Sequence, residues 1–79
     1  MEKVFSDEGT FAAYNAATKW CADNGYSVGA MQAGSPTGVI KGDHLVSKWR
    51  YLSRADVDGT IEGNFREGPV TLKIAEDSL

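Results

Sequence analysis

A single histidine, His44, and a single cysteine, Cys21, bound the side-chain chemistry open to this 79-residue chain. A serine or cysteine nucleophile needs a neighbouring base, and His44, with Asp43 beside it to orient the ring, is the one imidazole that could serve. Cys21, however, falls on the apolar stripe of an amphipathic segment, where a thiol behaves as a small buried hydrophobe with a raised pKa. The expectation is therefore no catalytic residue and no enzyme. One cysteine also excludes an intramolecular disulfide and a multi-cysteine zinc site by counting alone.

The acidic run Asp56-Val57-Asp58-Gly59-Thr60-Ile61-Glu62 invites a calcium reading, since calcium loops carry acidic ligands on alternate residues before a glycine. Aligning Gly59 with that glycine puts Arg54 at the first ligand position and Phe65 at the bidentate glutamate position. Neither can ligate, so an EF-hand is excluded and the run reads as a solvated turn, with no metal. The nine glycines form neither a dinucleotide fingerprint nor a phosphate-binding Gly-Lys-Ser/Thr loop, and no cofactor is expected. More suggestive is the stretch 41–54, KGDHLVSKWRYLSR, which interleaves Lys41, Lys48, Arg50 and Arg54 with Trp49 and Tyr51. Basic groups beside aromatic rings suit single-stranded nucleic acid. They suit a protein interface better, in which aromatic and Arg anchors dominate, and the plainest reading is surface charge around a Trp49 buried in the core.

These residues must be positioned by a small number of elements. The segment SDEGTFAAYNAATKWCADNG has a start signal, an apolar stripe and a stop signal in order, and predicts a helix over residues 7–23. Ser6 or Asp7 would cap its first amides, with Asp7 and Glu8 favourable against the helix dipole. At 100° per residue Phe11, Tyr14, Ala17, Thr18 and Cys21 share a face flanked by Ala13 and Trp20, opposite Asn15, Lys19 and Asp23. Asn24-Gly25 then supplies the left-handed stop. YSVGAMQ and GVIKG around AGSPT read as a β-hairpin, with Gly29 marking a bulge or a close approach by the helix. DHLVSKWRYL fits one face of either a helix or a strand, with its β-branched and aromatic content favouring a strand. A helical turn at SRADVD follows, with Ser53 and Asp56 spaced as a capping box and Gly59 as its stop. TIEGNF and VTLKI around REGP form a second hairpin, in which Val70, Leu72 and Ile74 alternate with Thr71 and Lys73 to give one dry and one wet face. Residues 75–79 read as a frayed tail.

The sum is one α+β domain over residues 1–79: a two-layer sandwich, the N-terminal helix packed on an antiparallel sheet of about four strands. A chain of this size has a stability of about 4–12 kcal/mol. It has little room for both a core and a walled pocket, which favours binding at a surface. No apolar run approaches the length of a membrane span and the start lacks signal-peptide character, so a cytoplasmic, non-membrane protein is expected. The net charge of −3 is unevenly spread. Residues 1–40 sum to −2, residues 41–54 to +3 and the remainder to −4, an asymmetry of the kind found where surfaces meet partners.

Gly25-Tyr-Ser-Val-Gly-Ala-Met-Gln32, Pro36-Thr-Gly38, Gly42-Asp43, Lys48-Trp-Arg50 and Phe65-Arg-Glu-Gly-Pro-Val70 together resemble small uncharacterised accessory proteins encoded by tailed phages and prophages. The likeness covers most of the chain from residue 25 onward. It implies a non-enzymatic factor that binds and inhibits a host protein or nucleoprotein complex in the host cytoplasm, the job of anti-CRISPR proteins, acting as a monomer or homodimer. The residues expected to contact that partner are Trp20, Lys48, Arg50, Tyr51, Arg54, Asp56, Asp58 and Arg66. The alternative is a small nucleic-acid-binding module using residues 41–54, which the acidic net charge opposes at long range.

Overall fold

A computed structural model of the chain describes residues 1–31, 36–42 and 57–75. Five strands and one helix follow in the order β1 (Glu2–Phe5), α1 (Ala12–Asp23), β2 (Tyr26–Val28), β3 (Thr37–Lys41), β4 (Gly59–Gly63) and β5 (Val70–Ile74). All neighbouring strands are antiparallel, and the sheet order is β1-β5-β4-β3-β2. With α1 on one face this is the two-layer α+β sandwich that the sequence predicts, with five strands rather than about four. The extra strand is β1, whose EKVF carries two charges in four residues and is recognisable only through its pairing with β5.

Strand alternation and register define the helix-facing side. Leu72 lies opposite Ile61 and Lys3, Val70 opposite Phe5 and Gly63, and Val39 opposite Val28 and Gly59. Ile61, Leu72, Val39 and Val70 are all buried there against Ala13, Tyr14, Ala17 and Cys21 of α1. Burying each such aliphatic side chain stabilises the fold by about 1.5–3 kcal/mol. The alanines of α1 let its backbone approach the sheet closely. Gly59 matters within the sheet, because a Cβ at that position would collide with the Lys73 carbonyl on the neighbouring β5.

The helix begins later than the sequence signals suggest, at residue 12 rather than 7. Two left-handed residues, Gly9 at φ 120° and Phe11 at φ 61°, interrupt the helical path, because the chain has just left the sheet at Phe5 and must climb to the second layer. Ser6 and Asp7 therefore do not cap the helix, no side chain does so, and no acidic residue occupies its first turn. Instead the Phe11 amide donates to the Arg66 carbonyl at 2.6 Å, tying the helix entry to the β4–β5 turn. The exit follows expectation. Asn24 donates back to the Trp20 carbonyl through both its amide and its side chain, and Gly25 takes φ 81°.

Both expected hairpins are present. Around the first, hydrogen bonds from Gly42 to the Gly25 carbonyl (2.7 Å) and from Gly29 to the Gly38 carbonyl (2.9 Å) bracket an unbroken register, so Gly29 continues the ladder and forms no bulge. In the second, Val70, Leu72 and Ile74 are buried while Lys73 faces solvent, and Lys73 pairs with Glu62 at 2.8 Å across the face away from the helix. That face is not wet throughout, since Ile40 points into it and is only 7% exposed. The strand-or-helix stretch at 44–52, residues 53–56 of the expected helical turn and residues 76–79 of the expected tail lie outside the described residues, whereas Ala75, where that tail is expected to begin, donates its amide to the Asp58 carbonyl at 2.8 Å.

Candidate functional site

One end of the sheet collects the groups of interest. Here α1 ends, β2 begins, β3 ends and the chain enters β4. The Trp20 ring, half-buried on the last turns of the helix, stacks on Tyr26 with centroids 6.1 Å apart and planes 20° from parallel. Tyr26 is buried because it opens β2 directly beneath the helix C-terminus, and it lies opposite Lys41 in the ladder. The Lys41 amide donates to Oδ2 of Asp58 at 2.7 Å, and the Asp58 amide donates to the Val39 carbonyl at 2.9 Å. Ser27 Oγ closes the corner by donating to the Gly42 carbonyl at 2.6 Å. Beside it, Lys19 and Asp23 form an exposed pair at 2.8 Å, and the hydrogen bond and charge of Asp23 raise the Lys19 pKa.

This corner is also where the charged segment is attached. The described chain leaves β3 at Gly42 and resumes at Val57, so the described residues on either side of 43–56 lie at the corner held by Asp58 and Ser27. Lys48, Arg50, Tyr51, Arg54 and Asp56 themselves lie outside the described residues. Of the partner-contact residues expected from sequence, the structure thus brings Trp20 and Asp58 to one end of the molecule. Arg66 it does not bring there. Arg66 is exposed in the β4–β5 turn, at the opposite end of β4, where Phe65 packs on Tyr14 at a ring separation of 4.7 Å. That turn is shaped by Asn64, whose side-chain oxygen accepts from the Glu67 amide at 3.1 Å and whose carbonyl accepts from the Gly68 amide at 2.6 Å.

The thiol of Cys21 is fully buried and burial pushes its pKa up to about 11, so it is a core residue and not a thiolate nucleophile at neutral pH. His44 lies outside the described residues. Asp58 uses its carboxylate to hold the Lys41 amide, and among the described residues no three acidic, His or Cys side chains gather as metal ligands would. No helix among the described residues is long and apolar enough to cross a membrane. Two features, one at the site and one at the opposite edge of the sheet, are not announced by the sequence. Tyr26 and Ser27 read simply as strand residues, although an aromatic at the first position after a helix-stopping glycine is a signal for packing back onto the helix end. The exposed edge of β1 was invisible because β1 itself was.

No protein-family model, curated protein or solved structure matches the chain.

Proposed function

We propose that this chain is a non-enzymatic phage accessory protein that binds and inhibits a host protein complex in the host cytoplasm, in the manner of an anti-CRISPR protein. The observation that carries the reading is the attachment of residues 43–56 at the corner formed by Trp20, Tyr26, Lys41 and Asp58. A segment rich in Arg, Lys and aromatic side chains, whose flanking residues lie at the end of the sheet that carries a half-exposed tryptophan, concentrates the residue types that act as anchors in protein interfaces. Arg66, at the far end, is then a peripheral contact or none.

The test is affinity capture with the tagged chain from phage-infected host cells, in parallel with a Lys48→Ala/Arg50→Ala/Arg54→Ala variant and with Trp20→Ala. The reading expects one stoichiometric partner, reduced at least tenfold by the triple variant. Failure to recover any stoichiometric partner would count against it. The nucleic-acid alternative rests on the same basic residues with Trp49, and its signature is different. Binding to single-stranded oligonucleotides would weaken steeply with salt, and the triple variant would flatten that salt dependence.

A further inference from the structure

We propose that the free edge of β1 pairs with β1 of a second copy of this chain, antiparallel and centred on Val4, to give a weak homodimer with a continuous sheet across the two-fold axis. The hydrogen-bonding pattern fixes which groups are available. Met1 and Ile74 exchange both of their backbone bonds, each at 2.8 Å. In an antiparallel ladder bonded and non-bonded pairs alternate. Lys3 and Phe5 therefore turn their amides and carbonyls toward β5, while those of Glu2 and Val4 point outward, and among the described residues no strand lies beyond them. Val4 sits near the centre of this edge and is 62% exposed, the most exposed of the large hydrophobics among the described residues.

Register follows from charge. A two-fold pairing must set outward-facing residues against outward-facing residues, which leaves axes through Glu2, Lys3 or Val4. The first opposes Glu2 to Glu2 and the second opposes Lys3 to Lys3, both unfavourable across a strand pair. Only the Val4 axis avoids like charges. It places the two valines against each other on the face away from the helix, and sets Lys3 opposite Phe5 of the second copy on the helix side. Lys3 already lies over an aromatic ring, its Nζ being 5.7 Å from the centroid of its own Phe5. Its cross-strand neighbour in the dimer would offer the same kind of surface. The edge is short, so the area buried falls below the ~1,200 Å² of a standard interface and the dimer forms only at high concentration.

Sedimentation of the untagged chain over a range up to about 1 mM, the regime for an interface below standard size, tests this directly. The expected result is a mass that rises with concentration toward twice the monomer. Val4→Lys and Val4→Asp, each substituting an exposed side chain outside the core, should each remain monomeric across that range. Mixed one to one, they should recover association, because only the Val4 register puts the new charges face to face. A wild-type chain that stays monomeric throughout, single variants that associate like the wild type, or a mixture that does not associate would each overturn the proposal. If the wild type is monomeric and Val4→Lys instead abolishes capture of the host partner, the edge receives a heterologous strand and self-pairing is wrong.

Discussion

Thr37→Val is expected to raise the stability of this protein by about 1–2 kcal/mol, even though it removes a polar group from a native position. Thr37 opens β3 on the helix-facing side, opposite Ile61, and is 1% exposed. Its hydroxyl oxygen is fully buried and has no hydrogen-bond partner among the described residues. Leaving a buried hydroxyl unsatisfied costs about 1–3 kcal/mol, and valine replaces it with a methyl of the same shape. Taking the lower half of that penalty gives the expected gain. Thr37→Ser supplies the control, since it keeps the hydroxyl and deletes the methyl, for an expected loss of about 1 kcal/mol. The stability order Val above Thr above Ser can be read from urea unfolding followed by far-UV circular dichroism. With a slope of about 1 kcal/mol/M for so small a chain, Thr37→Val should move the midpoint up by about 1–2 M at unchanged slope. If valine is no more stable than threonine, the hydroxyl has a partner and the dry helix-side core described above is wrong at β3.

Leu72→Ala removes a fully buried side chain from a strand paired on both sides, beneath helix alanines too small to fill the space. A loss of about 3–4 kcal/mol is expected in the same urea assay, while Met31→Ala, at an exposed position, should stay within about 0.5 kcal/mol of wild type. Gly59→Ala drives a Cβ into the Lys73 carbonyl and should cost about 2 kcal/mol or more, visible as a lowered melting temperature with no compensating gain from the alanine. Cys21 makes a pH prediction. Burial pushes its folded pKa up to about 11, above the ordinary value of 9.0. Below pH 9.0 the thiol is protonated whether folded or not, and its contribution is complete; as pH rises toward 11 the unfolded chain has lost the proton and the folded chain has not, so stability falls. Comparing the pH dependence of the unfolding midpoint for wild type and Cys21→Ala isolates this component, and identical profiles would mean that the thiol is not desolvated.

The parts of this fold legible in the sequence are those written in local patterns. The stripe of Ala13, Tyr14, Ala17 and Cys21, and the alternation of Val70, Leu72 and Ile74, were each enough to place an element and its buried face. What was illegible depends on contacts distant in sequence. β1 becomes a strand because β5, nearly the whole chain away, presents it with a ladder, and nothing in Glu-Lys-Val-Phe announces that partner. The helix starts later than its local signals for a related reason. Ser6, Asp7 and Glu8 make good capping chemistry, but β1 holds the preceding residues in the sheet and the Arg66 carbonyl takes the Phe11 amide, so the cap is tertiary. At the candidate site the charge pattern of residues 41–54 was plain from composition. That Trp20 and Asp58 share the corner where this segment is rooted, and that Arg66 does not, follows only from the sheet order.

The reading of this chain as a protein-binding factor anchored at that corner is tested most directly by titrating the captured host complex with purified protein in a calorimeter, using wild type, Trp20→Ala and the Lys48→Ala/Arg50→Ala/Arg54→Ala variant. The account predicts saturable binding at a fixed stoichiometry, with affinity reduced at least tenfold by the triple variant and measurably by Trp20→Ala, while Arg66→Ala leaves it within about twofold, as expected of a contact at the rim. Binding that is unaffected by the triple variant but abolished by Arg66→Ala would contradict it, and would move the functional surface to the opposite end of the sheet.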